Sequence, residues 1–160
     1  MFDVTALGEV LIDFTAYGEN PQTGMALFER NPGGAPANVV AAVSRLGGKT
    51  AFIGKVGQDM HGAFLKETLE QIGIDTRGLC VDASAFTTLA FVSLDSTGER
   101  VFSFARKPGA DTCLRAEDVP EELLSDSRIL HFGSLSMTDE PACSATRYAV
   151  EQEKKQGAII

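Results

Sequence analysis

The sequence is short of basic residues, and this shortage excludes several classes of partner. Among its 160 residues, 14 are Lys or Arg and 22 are Asp or Glu, so the formal net charge is -8. General binding to nucleic acid or to an anionic membrane needs basic patches, which this balance disfavours. No apolar run reaches the roughly 18 residues that a membrane-spanning helix needs. We therefore expect no nucleic-acid partner and no membrane partner, although an acidic surface can still contain a local anion site.

Cysteine and histidine are also scarce. The sequence contains three cysteines without CxxC spacing and two histidines, which are Cys80, Cys113, Cys143, His61 and His131. We interpret the cysteines as small apolar residues of a protein in a reducing compartment, and we expect no His/Cys metal site. Residues 1–3 contain no basic region that leads into an apolar core, so we expect no secretory signal and a cytoplasmic location.

Apolar runs alternate with helical patterns along the chain. Strands are expected at residues 4–12, with a break at Gly8, and at residues 50–56 and 128–132. Helices are expected after Gly34, after Asp59, at residues 117–124 and at residues 138–157. The first helix would bury the stripe Val39, Ala42, Val43 and Leu46, and the second would bury Phe64, Leu65, Leu69 and Ile72. This order predicts an α/β fold with a doubly wound, mostly parallel sheet flanked by helices.

Two segments do not fit this alternation. Residues 13–30 form one of them, and the other is a hairpin in which residues 88–94 and 100–106 flank the turn "DSTG". We expect them to form a separate small β-layer against the main sheet. Ala158, Ile159 and Ile160 read as the opening of a further buried strand, so we interpret the chain as the N-terminal part of a larger protein.

The stretch 31–47, "NPGGAPANVVAAVSRLG", raises the question of function. It removes side chains from the entrance of a helix, at Gly33 and Gly34, and places the amide of Asn38 just inside that helix. Ligands of open α/β sheets bind beyond the carboxyl ends of the strands, where Asp13 follows the first strand. A carboxylate and an amide over a floor without side chains suit a polyol. The structural alternative is a tight turn at the glycines with Asn38 as the helix cap.

A family resemblance covers nearly the whole chain. The motifs "GEVLIDF" and "GGAPANVVAAVSRLGGKTAFIGKVGQDMHG" resemble the first signature of the ribokinase-like sugar kinases of the phosphofructokinase-B type. With "FARKPGAD", they look most like fructokinases. The resemblance implies a ribokinase-like α/β domain with a small β-sheet lid made from residues 14–30 and 88–106. It also implies transfer of the γ-phosphoryl group of ATP, with Mg²⁺, to a sugar hydroxyl, and a homodimer formed through the lid.

The resemblance assigns roles to individual residues. Asp13 and Asn38 would bind sugar hydroxyls above a floor made by Gly33 and Gly34. Phe104 and Arg106 would contact the sugar from the lid, since alternate residues of a strand share one face. For Phe104 and its neighbour Phe102, packing in the lid or at a dimer interface is the alternative.

The family's catalytic base is not expected in this chain. That base is an aspartate of a Gly-Ala-Gly-Asp stretch at a helix start, which this sequence lacks, and residues 109–111, "GAD", miss the second glycine. We expect the base and the nucleotide-binding half to lie C-terminal to Ile160, and residues 1–160 alone to be inactive.

Several other functions compete with a fructokinase. A 2-keto-3-deoxygluconate kinase, another kinase of this family and a non-catalytic sugar-binding module stay open as alternatives. A dinucleotide-dependent oxidoreductase is disfavoured, because no G-x-G-x-x-G follows the first strand.

Overall fold

The computed structural model describes residues 1–19, 23–94 and 97–160. Its helices and strands are, in chain order, β1 (Val4–Leu7), β2 (Leu11–Glu19), β3 (Ala26–Gly33), α1 (Ala35–Arg45), β4 (Thr50–Gly57), α2 (Met60–Gln71), β5 (Asp75–Asp82), β6 (Leu89–Leu94), β7 (Arg100–Ala105), α3 (Glu121–Ser125), β8 (Leu130–Phe132) and α4 (Ala142–Gln156). None of the described helices is long and apolar enough to cross a membrane.

The main sheet contains four parallel strands in the order β5-β4-β1-β8. One face packs against α1 and α2 through a core that includes Phe52 and Leu65. The other face packs against α3 and α4 through a second core that includes Ile53 and Leu123. Every residue of β4 is buried, as expected of a parallel strand covered on both faces. The doubly wound α/β architecture is therefore confirmed.

The apolar run at residues 4–12 is two strands, which corrects the single strand expected there. The segment leaves the main sheet at Gly8, where φ is +150°, and enters a second sheet at Leu11. Added side-chain bulk at Gly8 would lie 2.7 Å from Pro36 and 2.8 Å from the Ser136 hydroxyl. Glycine therefore permits both the backbone conformation and the close approach of α1 to the end of β1.

The second sheet is small and has the strand order β3-β2-β6-β7. β2 pairs antiparallel with β3 and parallel with β6, and the expected hairpin is present as antiparallel β6 and β7. Of the turn "DSTG", Asp95 and Ser96 lie outside the described residues. The expected small β-layer is thus confirmed, and its strands connect directly to the carboxyl edge of the main sheet.

The apolar stripe expected on α1 faces the core only in part, since Val43 is half-buried and packs against it. Pro36, Ala37 and Val40 are buried instead, whereas Leu46 is 88% exposed. The cause lies at the helix entrance, where Pro36 packs tightly against two glycines, at positions 8 and 133. This contact fixes the rotation of the helix about its axis, so packing overrides the pattern of larger apolar residues.

The other elements follow the expected pattern with three changes. On α2, Leu65 and Leu69 are buried, and the carboxylate of Asp59 caps the helix, accepting hydrogen bonds of 2.9 Å from two backbone N–H groups. The expected helix at residues 117–124 is instead a short 3-10 turn followed by α3, with Pro120 between them. β5 is an element that the sequence pattern does not predict, and α4 begins at Ala142, later than expected.

The last residues of the chain differ from the buried strand opening expected there. Ile159 forms an isolated parallel bridge with Ile129, in which its carbonyl accepts the backbone N–H of Leu130. The side chains of Ile159 and Ile160 are 65% and 44% exposed. The segment therefore runs parallel to β8, as expected of the predicted strand. Its side chains are not buried, because no described element covers them.

Candidate functional site

The two glycines at the start of α1 lie where the two sheets meet. Gly33 ends β3, and Gly34 precedes α1 with φ at +108°. A side chain on Gly34 would overlap the backbone of Glu9, and one on Gly33 would overlap the Asp13 carboxylate. These glycines, which we call the glycine floor, therefore allow the helix entrance to lie directly against the end of β1 and against Asp13.

A row of paired residues crosses the small sheet beside the glycine floor. Asn31, Asp13, Ala90 and Phe104 are register partners on β3, β2, β6 and β7. Directly paired residues point to the same face of a sheet, so the carboxylate and the aromatic ring share one face, with a small alanine between them. An acceptor beside an aromatic ring, separated by a small residue, is suited to a compact molecule that carries hydroxyl groups.

The next row forms a hollow on this same face. Thr15, Val92 and Phe102 are register partners, and the ring of Phe102 stacks on that of Phe104 at 6.1 Å between centroids. A hollow of about 420 Å³ is lined by Asp13, Thr15, Ala16, Val92, Ser93, Arg100 and Phe102. The stacked pair is half-exposed, so this surface remains accessible.

The Asp13 carboxylate is able to accept further hydrogen bonds. It is half-buried and has no hydrogen-bond partner among the described residues. Burial raises the pKa of this carboxyl above its ordinary value, because the charged form loses solvation. A ligand hydroxyl would supply the missing donors.

Asn38 lies on the other side of the glycine floor. Its side chain is exposed and lines a groove between α1 and α2, together with Gly33. α1 has no side-chain hydrogen bond at its N-cap, so Asn38 is not the helix cap that the structural alternative required. The structure places Asp13 and Asn38 in different hollows; Gly33 lines the hollow that contains Asn38 and lies against the Asp13 carboxylate. Their joint contact with one ligand stays a prediction.

Arg106 occupies a different position from the stacked rings. β7 ends at Ala105, and the Arg106 guanidinium turns away to a buried carboxylate, that of Asp111, at 2.8 Å. It also donates to the Leu135 carbonyl and to the Thr138 hydroxyl. Asp111 in turn binds the Thr88 hydroxyl at the start of β6. Arg106 therefore ties the base of the small sheet to the main domain, and its contact with a sugar stays a prediction.

A second tie fixes the small sheet near β6. Thr87 donates to Asp59 from its backbone N–H at 2.8 Å and from its hydroxyl at 2.9 Å. Burial acts to raise the pKa of Asp59, but the hydrogen bonds from Thr87 and from the first turn of α2 together hold it below its ordinary value. The carboxylate is thus charged at neutral pH and serves structure.

The described residues do not by themselves supply a full set of ligands for Mg²⁺ with a nucleoside triphosphate. Among them, no three His, Cys, Asp or Glu side chains gather closely enough to hold a metal. The near-match at residues 109–111 opens a single 3-10 turn, and its aspartate is committed to Arg106 and Thr88. We therefore assign no chemical step to these residues through ATP or a metal, and a catalytic base C-terminal to Ile160 stays a prediction.

Some residues of the hollow are not evident from the sequence. Thr15 could have been found, because it follows Asp13 at the spacing of two that places strand residues on one face. Arg100 could not, since its position depends on the register between strands; from the sequence it reads as a solvated charge. Glu9 reads as structural, and the structure shows it bonded to the entrance of α1.

Comparison with known proteins places this geometry in a family. The model of the pfkB family carbohydrate kinases matches residues 1–159. The chain is 44% identical over 162 residues to probable fructokinase-3 of Arabidopsis thaliana, covering 98% of this chain and 46% of that protein. It is 45% identical over 159 residues to fructokinase-1 of Zea mays, covering 98% and 49%.

Solved structures agree with the sequence relatives. The fructokinase of Xylella fastidiosa superposes with a TM-score of 0.93 at 40% identity, covering 99% of this chain and 49% of that one. A putative ribokinase II from E. coli, solved with ATP and Mg²⁺, gives a TM-score of 0.90 at 31% identity, covering 100% and 52%. The chain spans about half the length of the relatives it matches. With its family signature, its ribokinase-like sheet and its second small sheet, the chain belongs to the pfkB family of carbohydrate kinases.

Proposed function

We propose that this chain supplies the sugar-binding side of an ATP-dependent sugar kinase whose preferred substrate is fructose. The observation that carries the proposal is the row across the small sheet, in which the Asp13 carboxylate, to which no described residue donates a hydrogen bond, shares a face with Phe104 beside the glycine floor. Asp13 accepts hydrogen bonds from sugar hydroxyls, and the stacked rings cover the apolar face of the sugar. The fructokinase relatives support fructose as the substrate.

In this proposal the small sheet acts as a lid. It is held at its base by the bonds of Arg106 and Thr87, while its face beyond Asp13 stays accessible. Asn38 binds the sugar from the other side of the glycine floor. ATP with Mg²⁺ binds to the part of the kinase that corresponds to the other half of the relatives.

A substrate panel tests the proposed function. We expect the full-length protein to phosphorylate fructose with ATP and to show a thermal shift with fructose that exceeds the shifts with ribose and 2-keto-3-deoxygluconate. A larger shift and faster turnover with the keto acid would replace fructose by that substrate. Sugar binding without phosphorylation would instead indicate a non-catalytic module.

The site should also be incomplete in residues 1–160. We expect this polypeptide alone to transfer no phosphate to fructose, because no described residue is free to act as the base at the start of a long helix. The assay is ADP release with and without sugar, with the full-length protein as the positive control. Sugar-dependent ADP release by residues 1–160 would contradict this expectation.

The lid has a second proposed role in a homodimer. Its other face exposes apolar side chains, among them Phe28, Phe91 and Val101, in register positions that alternate with the Asp13 row. We propose that a second copy of the lid packs against these side chains, and light scattering of the protein in solution measures the mass directly.

The three free cysteines are compatible with the reducing cytoplasm in which we propose that the protein works.

Replacing Gly33 with alanine tests the glycine floor. The new methyl group would overlap the Asp13 carboxylate and lie 3.1 Å from Leu11, so the carboxylate must move. We expect the Michaelis constant for fructose to rise several-fold while that for ATP and the melting temperature change little. A melting temperature that falls sharply with an unchanged fructose constant would show that Gly33 serves folding and not the site.

A further inference from the structure

Glu9 lies at the point where the strand order of the main sheet reverses. β4 and β5 lie on one side of β1, and β8 lies on the other, so the crevice between β1 and β8 opens at their carboxyl ends. Such crevices are where open α/β sheets bind ligands. Glu9 follows β1 at this crevice and is only 4% exposed. A carboxyl group buried there needs a reason, because burial penalises its charge.

The reason is the entrance of α1, which has no cap of its own. No side chain at the N-cap accepts a hydrogen bond from the first turn. The Glu9 Oε1 atom instead accepts the backbone N–H of Ala35 at 3.1 Å, across 26 positions of the sequence. Gly34 completes the contact, because its backbone lies directly on the Glu9 carbonyl group. Glu9 therefore caps the helix from the segment between β1 and β2.

The second oxygen of Glu9 faces the other side of the crevice, where the chain leaves β8. Among the described residues, Oε2 has no hydrogen-bond partner, and a side chain on Gly133, directly after β8, would lie 3.0 Å from it. Burial raises the pKa of the Glu9 carboxyl, and the charge of Asp111 acts in the same direction, against the bond from Ala35 and the charge of Arg106. The contacts of its two oxygens place the Glu9 carboxyl between α1 and the loop after β8.

We infer that Glu9 is a positioning residue for the sugar site: it holds the Gly34–Ala35 entrance of α1 between β1 and β8, and so fixes Gly33 beneath Asp13. The inference rests on the proposed function for its consequence, since it concerns the sugar and not the nucleotide. Glu9 itself does not reach the ligand, because both of its oxygens are enclosed.

Two conservative variants of Glu9 separate the effect of side-chain length from the effect of charge. Glu9→Gln keeps an oxygen at the same distance along the side chain, so Ala35 retains its acceptor, and the fructose Michaelis constant should stay within about threefold of wild type. Glu9→Asp keeps the charge but is one methylene shorter and loses the bond. Loss of a helix cap predicts an increase of about five- to tenfold in that constant, with kcat and the ATP constant little changed.

The matched controls are Glu151→Gln and Glu151→Asp on the exposed face of α4, which should alter neither constant. The opposite order, with the aspartate variant near wild type and the glutamine variant raised tenfold, would show that the charge of Glu9 contacts the ligand and would overturn the inference. Equal constants for both variants and wild type would also overturn it.

Hydrogen exchange separates this inference from the proposed function. The Ala35 amide should exchange faster in Glu9→Asp than in wild type or Glu9→Gln, whatever the substrate is. If wild type phosphorylates no sugar, the proposed function fails, and the exchange contrast still tests the positioning of α1. If wild type is active but the Ala35 amide exchanges equally in all three proteins, the inference fails and the proposed function stands.

Discussion

Replacing Asp13 with alanine should raise the Michaelis constant for fructose by about ten- to a hundredfold. The carboxylate has no protein partner among the described residues, so the bonds lost are those to the sugar. Losing a charged acceptor costs about 1.5 to 3 kcal/mol, which converts to this range. Because burial raises the pKa of Asp13, acid should weaken sugar binding by wild type at a higher pH than an ordinary aspartate would.

Steady-state kinetics with fructose and with ATP varied separately provide the measurement. Asp126→Ala is the matched control, since this half-exposed carboxylate lies beside the start of β1, at the opposite edge of the sheet. An unchanged fructose constant in Asp13→Ala would remove Asp13 from the site and take the central observation of the proposed function with it.

Replacing Glu153 with glutamine should stabilise the protein above neutral pH. Glu153 is fully buried on α4, and neither of its carboxyl oxygens has a hydrogen-bond partner among the described residues. Burial raises the pKa of Glu153 to about 7 from 4.5. The folded state therefore holds a proton that the unfolded state releases between about pH 4.5 and 7, so wild-type stability falls as the pH rises through this window.

The expected size of this stabilisation follows from the rise in the pKa of Glu153. A rise of the pKa from 4.5 to about 7 corresponds to about 3 kcal/mol, and because the amide of the variant is also a polar group at this buried position, we expect a gain in unfolding free energy of about 1 to 3 kcal/mol above pH 7. Below pH 4.5 the two proteins should differ little. Urea denaturation from pH 4 to 8.5 measures this difference, with Glu151→Gln, two residues away and exposed, as the control. Parallel pH profiles for wild type and Glu153→Gln would show that a partner compensates the charge.

The larger elements of the fold could be predicted, because each has a local cause. Leu65 and Leu69 recur at helical spacing on α2, Asp59 caps that helix, and Gly157 ends α4 with φ at +80°. β5 was missed, since its buried residues, Gly78 and Leu79, are few and its other positions are half-buried or exposed. Its place at the sheet edge depends on pairing with β4, which no local pattern encodes.

The face of α1 shows how packing overrides a pattern. By helical spacing Val39, Ala42, Val43 and Leu46 form a credible apolar stripe, yet the first turn decides which side is buried. Pro36 fits against Gly8 and Gly133, which follow β1 and β8 and are distant from it in sequence. A helical period sets the relative positions of residues but not the rotation of the helix against its neighbours.

The candidate site, too, could be predicted only in part from the sequence. The sequence motifs are enough to identify the region of Asp13 and the glycine floor. They do not reveal that Phe104 is in register with Asp13, that Arg106 is bonded to Asp111, or that Asn38 lines a separate groove. Each of these facts is a contact between segments that local patterns cannot relate to one another.

By itself, the sequence determined the α/β class, the small second sheet, the family and the glycine entrance of α1, because periodicity, turn residues and contiguous motifs are local properties. The tertiary structure alone decided which strands pair, which face of α1 is buried and how Glu9 caps that helix from the segment between β1 and β2. These depend on the register between strands and on the fit of side chains against glycines, and both exist only once distant segments are in contact.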